Sequence, residues 1–191
     1  DVAWTFRRMP AVDAYSLSAR PGHLRLFTQQ TVPYARARVA QLGIKQTETA
    51  FQFTARTEFE ASQSGTEAGI SLFQKDDHYL NSTIKQLGDQ YVLSVTLANR
   101  GKPEVLVSQA LPSYSGELEW RIDSATGIYN ISYRLSADSE WSLLHQVPSK
   151  LLLSQYYTGA HIGFYTSSNG AETNDFMDID WVNFQARPSA E

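Results

Sequence analysis

Glu117 and Glu119 stand two residues apart in the run GELEWRID. In an extended strand that spacing puts both carboxylates on one face, roughly 7 Å apart. A facing pair of carboxylates is what acid–base cleavage of a glycosidic bond requires. Their neighbours favour a plainer role. Leu118, Trp120 and Ile122 alternate with Glu117, Glu119 and Arg121, as in a strand with one solvent face. The close Glu, Asp, Glu spacing of sandwich glucanases is not reproduced. A second acidic group, Asp175, Asp178 and Asp180, lies near the C-terminus, and Asp76-Asp77 form another. Calcium takes about six to eight oxygens from carboxylates and loop carbonyls. The expected ligands of a structural calcium are therefore Asp178 and Asp180, although no EF-hand-like spacing surrounds them.

Other chemistry is sparse. His23, His78, His145 and His161 are scattered without zinc-site spacing. No serine sits in a nucleophile elbow, and SGTEAG at 64–69 reads as a turn. Tyr156-Tyr157 follows a Leu-rich turn and precedes Thr158-Gly159-Ala160. An exposed aromatic pair on a loop can stack on a sugar ring, and a buried pair would simply plug the loop. Trp120, Trp141 and Trp181 alternate with polar neighbours, which predicts core positions. Two sequons, at Asn81 and Asn130, are candidate glycan sites.

The elements that must position these residues are strands. Phe51, Phe53, Ala55, Thr57 and Phe59 share one face of a period-2 run, and Gln52, Thr54, Arg56 and Glu58 share the other. The same alternation recurs at 91–97, 117–122, 129–135 and 177–181. Turn signals part the runs at Pro21-Gly22, Gly88-Asp89, Ala125-Thr126-Gly127 and Asn169-Gly170. The one helical candidate covers one to two turns at 149–156. Evenly spaced strands without long helices predict an all-β, two-sheet antiparallel sandwich or jelly roll, formed by one domain over 1–191.

Composition narrows the function classes. The chain has 191 residues, 42% hydrophobic and 19% charged, which suits a globular domain with a real core. A net charge of −4 leaves no broad basic surface for nucleic acid. No apolar run has membrane-spanning length. Without cysteine there is neither a disulfide framework nor a Cys-based zinc site. The sequence starts at Asp1 with no signal peptide, the expectation for a mature form or a piece of something longer.

Four stretches together carry a resemblance. YSLSARPGHLRLF (15–27) resembles the start of the C-terminal β-sandwich domain of glycoside hydrolase family 43 β-xylosidases. The runs at 51–80, 129–144 and 156–184 resemble later strands of that domain, in the same order. The resemblance implies a concanavalin A-like sandwich, similar to carbohydrate-binding module family 91, that packs against a five-bladed catalytic propeller. In that family a sandwich loop lends an aromatic ring to the rim of the propeller's pocket. Tyr157, with Tyr156 adjacent, is the matching position, where the family usually shows Phe. The Arg7-Arg8 lead-in and the turn SADSEW are further departures.

The expected function is a non-catalytic, carbohydrate-binding or accessory domain of a secreted xylan-degrading enzyme. It would bind xylan or xylo-oligosaccharide, or complete its partner's pocket. A stand-alone sandwich glycosidase or polysaccharide lyase, and a purely structural domain, are the alternatives.

Overall fold

Alternating apolar and polar residues can bury one face of a strand and leave the other wet, and the chain does this many times over. The computed structural model describes residues 3–11, 13–152 and 159–188. Its strands are β1 (Trp4–Phe6), β2 (Tyr15–Ser16), β3 (Leu24–Phe27), β4 (Ala40–Lys45) and β5 (Phe51–Phe59). Then come β6 (Glu67–Lys75), β7 (His78–Leu87), β8 (Gln90–Asn99), β9 (Glu104–Ala110) and β10 (Glu117–Ala125). Last are β11 (Ile128–Arg134), β12 (Ser142–Pro148), β13 (His161–Ser167) and β14 (Phe176–Ala186). Among the described residues the helical pieces are two 3₁₀ turns, Pro33–Ala35 and Ser149–Leu151. The second takes up the start of the expected helix, and residues 153–156 of that expectation lie outside the described residues.

The strands form two seven-stranded antiparallel sheets, so the expected sandwich is the fold found. The first has the order β1-β4-β13-β6-β7-β8-β9, and the second β12-β11-β10-β5-β14-β3-β2. Tight hairpins supply local order. Thr126 and Gly127, both at positive φ (50° and 77°), join β10 to β11 in the sense that suits the twist of paired strands. Long-range pairings do the rest: β13 inserts between β4 and β6, and β14 between β5 and β3.

The core is the layer between the sheets. Phe51, Phe53 and Trp120 face it from the second sheet, and Ile70, Leu93 and Phe164 from the first. Each such side chain contributes about 1.5–3 kcal/mol by leaving water. Trp120 is fully buried, and its indole Nε1 donates to Thr57 Oγ1 at 2.9 Å.

Two expected core tryptophans lie elsewhere. Between Ile179 and Trp181, strand β14 carries an extra residue, Asp180, that pairs with nothing on β5. Ile179 lies opposite Thr57, but Trp181 then lies opposite Arg56, and the bulge breaks the period-2 face. Trp181 is left 37% exposed. Trp141 precedes β12 and lies against the outer face of the second sheet. There the guanidinium carbons of Arg121 and Arg134 each sit 4.6 Å from its ring centroid.

Candidate functional site

The outer face of the first sheet is unusually buried for a surface that faces away from the core. Gln41, Ser71, Tyr79, Asn81, Thr83 and Tyr165 on it are each less than 5% exposed. Register explains the shape beneath them. Thr5 lies opposite Gly43, Gly43 opposite Gly163, Gly163 opposite Ser71, and Ser71 opposite Asn81. Two adjacent glycines therefore leave a depression in the middle of the face. A Cβ on Gly163 would lie 2.0 Å from the carbonyl oxygen of Leu42, and one on Gly43 would lie 3.0 Å from that of Ile162. Only glycine fits at these crossings.

This trough encloses a cavity of about 110 Å³. Gln41, His161 and Phe73 wall it, and Arg7 closes it from beyond the end of β1. Because Gly163 has no side chain, Gln41 reaches across β13. Its Nε2 donates to Ser71 Oγ at 2.6 Å, and Ser71 Oγ donates to Asn81 Oδ1 at 2.6 Å. That relay leaves Gln41 Oε1 without a partner. Arg7 Nη1 and His161 Nδ1, also at the trough, are likewise buried and unpartnered. Buried polar atoms nearly always find a partner, so three orphans around one cavity require an explanation.

Charge in the trough is balanced. Arg7 pairs with Asp76, donates from Nη2 to the Pro33 carbonyl at 3.1 Å, and lies 4.2 Å over the Phe73 ring. Burial, with Arg8 next, pulls its pKa down to about 10, so it stays charged at neutral pH. Burial also lowers the His161 pKa, which keeps the imidazole neutral there. One paired cation, a neutral ring and an amide make a site of no net charge.

A second concavity, of about 690 Å³, opens at the sandwich edge between β1, β2 and the bulged part of β14. It is largely apolar, with Trp4, Tyr15, Leu17, Trp181 and Val182 between 36% and 70% exposed. Trp4 stacks on core Phe164 with ring centroids 5.8 Å apart. Strand β3 ends its pairing with β14 at Ile179, so among the described residues the far edge of β14 is open beyond that point.

The residues singled out in the sequence are placed as follows. Tyr156 and Tyr157 lie outside the described residues. Glu117 is engaged by Arg56, and Glu119, 4% exposed, accepts from Arg134 Nε at 2.7 Å. Neither carboxylate is free to serve as one of a facing pair.

Asp178 and Asp180 do not fit a calcium site. Both oxygens of Asp178 are taken by guanidinium groups, Oδ1 by Arg25 Nε at 2.8 Å and Oδ2 by Arg25 and Arg20. Burial pushes the Asp178 pKa up, and hydrogen bonds from those arginines more than offset it, so the carboxyl titrates below its usual range. Asp180 lies 3.7 Å from His23 and 3.8 Å from Arg56. Among the described residues no three acidic or histidine side chains gather to hold a metal.

Asn81 also departs from expectation. It is 4% exposed in mid-strand and accepts from Ser71, so it is not the open loop asparagine that a glycan needs. Asn130 is half-buried on β11 and accepts from Gln146 Nε2 at 2.6 Å. The trough residues Arg7, Gln41, Gly43 and Gly163 were missed from sequence because their meeting depends on the register of strands distant in the chain.

The model of the β-xylosidase C-terminal concanavalin A-like domain of family 43 matches residues 1–185. The chain belongs to that family. Its curated relatives include a non-reducing end α-L-arabinofuranosidase of Bacteroides ovatus, 25% identical over 95% of this chain and 34% of that protein. A xylosidase/arabinosidase of Butyrivibrio fibrisolvens is 26% identical over 91% of this chain and 34% of its own length. This member of the family thus spans about a third of the curated relatives it matches. A family 43 protein of Bacillus licheniformis shares the fold at a TM-score of 0.86 and 21% identity, over 96% of this chain and 37% of that one.

Proposed function

We propose that this chain is the non-catalytic accessory domain of a pentose-releasing family 43 enzyme, binding xylan-type sugar and helping to complete its catalytic partner's pocket. The observation that carries the reading is the family match over residues 1–185, set against relatives about three times as long. The arginine-bound state of Glu117 and Glu119 supports it, since an acid–base pair needs one carboxyl free to give up a proton and one free to accept. The apolar edge groove takes the five-bladed catalytic propeller. Its exposed Trp4, Leu17 and Trp181 form the kind of contiguous apolar surface that marks a protein interface. Tyr157, with Tyr156 beside it, is the residue assigned to the rim of the partner's pocket by family resemblance.

Affinity electrophoresis through xylan-containing gels, with an aryl pentoside assay on the same sample, tests the reading. The chain should be retarded and should release no sugar. Turnover that vanishes in Glu117→Gln or Glu119→Gln would make it a stand-alone glycosidase instead. In the longer enzyme, Tyr157→Ala should lower kcat/KM about tenfold, the equivalent of about 1.4 kcal/mol.

A further inference from the structure

We propose that the glycine-floored trough on the outer face of the first sheet is a binding site for one neutral pentose unit, held through adjacent hydroxyls by Arg7, Gln41 and His161. The inference rests on the accessory, sugar-binding reading and gives it a location.

Three observations select the ligand. The first is size. A cavity of about 110 Å³ is smaller than the ~150 Å³ that accommodates a benzene ring. It suits one five-carbon sugar at the end or branch of a chain, and has no room for a run of units or for an added hydroxymethyl group.

The second is hydrogen-bond polarity. Arg7 Nη1 can only donate, and Gln41 Oε1 can only accept. A hydroxyl accepts from the first and, through its own proton, donates to the second. His161 Nδ1 serves either way according to its tautomer. Phosphate and carboxylate have no proton to give Gln41 at neutral pH, so an anion would leave that oxygen unsatisfied.

The third is charge. Asp76 already neutralises Arg7 and pairs with Arg8 at 2.8 Å, so no uncompensated cation calls for an anionic ligand. The floor is also built for close approach. Gly43 and Gly163 expose backbone, where any side chain would collide with the neighbouring strand.

Ligand-observed saturation-transfer NMR on this chain tests the site, with methyl β-D-xylopyranoside and methyl α-L-arabinofuranoside as probes. Gln41→Met keeps the shape and removes the acceptor, and His161→Ala removes the third group. Thermal melting identifies folded variants. The expected result is transfer to at least one pentoside, unaffected by inorganic phosphate and weakened about tenfold in affinity by Gln41→Met, with His161→Ala acting in the same direction.

Pentoside binding that survives both substitutions would overturn the site and leave the accessory reading standing. Retardation by xylan without any pentoside transfer would do the same, with the cavity holding a water cluster only. Competition by phosphate would overturn the neutral-ligand assignment. If neither pentoside nor xylan is bound, the site and the sugar-binding half of the accessory reading fall together.

Discussion

Trp120 is the largest of the fully buried side chains, and its one polar atom is satisfied by Thr57. Trp120→Ala removes the ring and strands the threonine hydroxyl, so it should cost about 3–5 kcal/mol in urea unfolding. At the surface of the second sheet, Asp178 should behave differently. Asp178→Asn keeps the shape and loses two charge-assisted contacts, at a cost of about 1–3 kcal/mol. The pH dependence follows from the depressed pKa values. Hydrogen bonding to Arg20 is the main cause of the lowered Glu58 value, and the arginine bonds outweigh burial at Asp178. A depressed carboxyl stabilises the fold above its ordinary pKa, and that stabilisation is lost as pH falls through the folded value. Melting temperature should therefore decline once pH drops below the ordinary values of 4.5 for Glu58 and 3.8 for Asp178. Arg25→Met should flatten that decline; an unchanged acid limb would show that the arginine contacts do not set it.

At the scale of elements, β14 shows how a strand can be legible and its faces not. The alternation of Met177 and Ile179 with Asp178 marks the strand, and both apolar residues are buried as that pattern implies. Asp180 then shifts every later residue by one, and no local signal announces the bulge, because it is fixed by the register against β5. Deleting Asp180 removes the unpaired residue while keeping Ile179 opposite Thr57 and Trp181 opposite Arg56. The variant should fold with a change of no more than about 1–2 kcal/mol. Deleting Thr54, which lies in regular register on β5, should turn Phe53 or its neighbours to the wrong face and abolish the cooperative melt. Equal damage from both deletions would show that the bulge itself holds the sheet. The trough was illegible for a related reason. Arg7 looked like part of a lead-in, and Gly43 and Gly163 are 120 positions apart in a sequence that gives no strand order. The two sheets themselves were readable because one-sided burial imprints a period on every strand.

Across the whole molecule, stability depends on pairings that span nearly the full chain. β14 is an interior strand of its sheet, bonded to β5 on one side and β3 on the other. A chain ending at Asp175 should lack the buried Met177 and Ile179, leave two strand edges bare, and show no cooperative unfolding transition by circular dichroism. A folded product of that length would mean that β3 and β5 can close the gap unaided. Such distant contacts also predict refolding on the millisecond-to-second scale, slower than helical domains of similar size. The interior place of β14 has a further consequence during protein synthesis. Of all the strands it is the last to leave the ribosome, so the sandwich cannot close while translation is still in progress through it. Messages cut short anywhere before its codons would yield chains with gaping sheets, ready substrates for cellular proteases. Placing the final strand in the middle of a sheet thus makes folding a test of whether translation reached it.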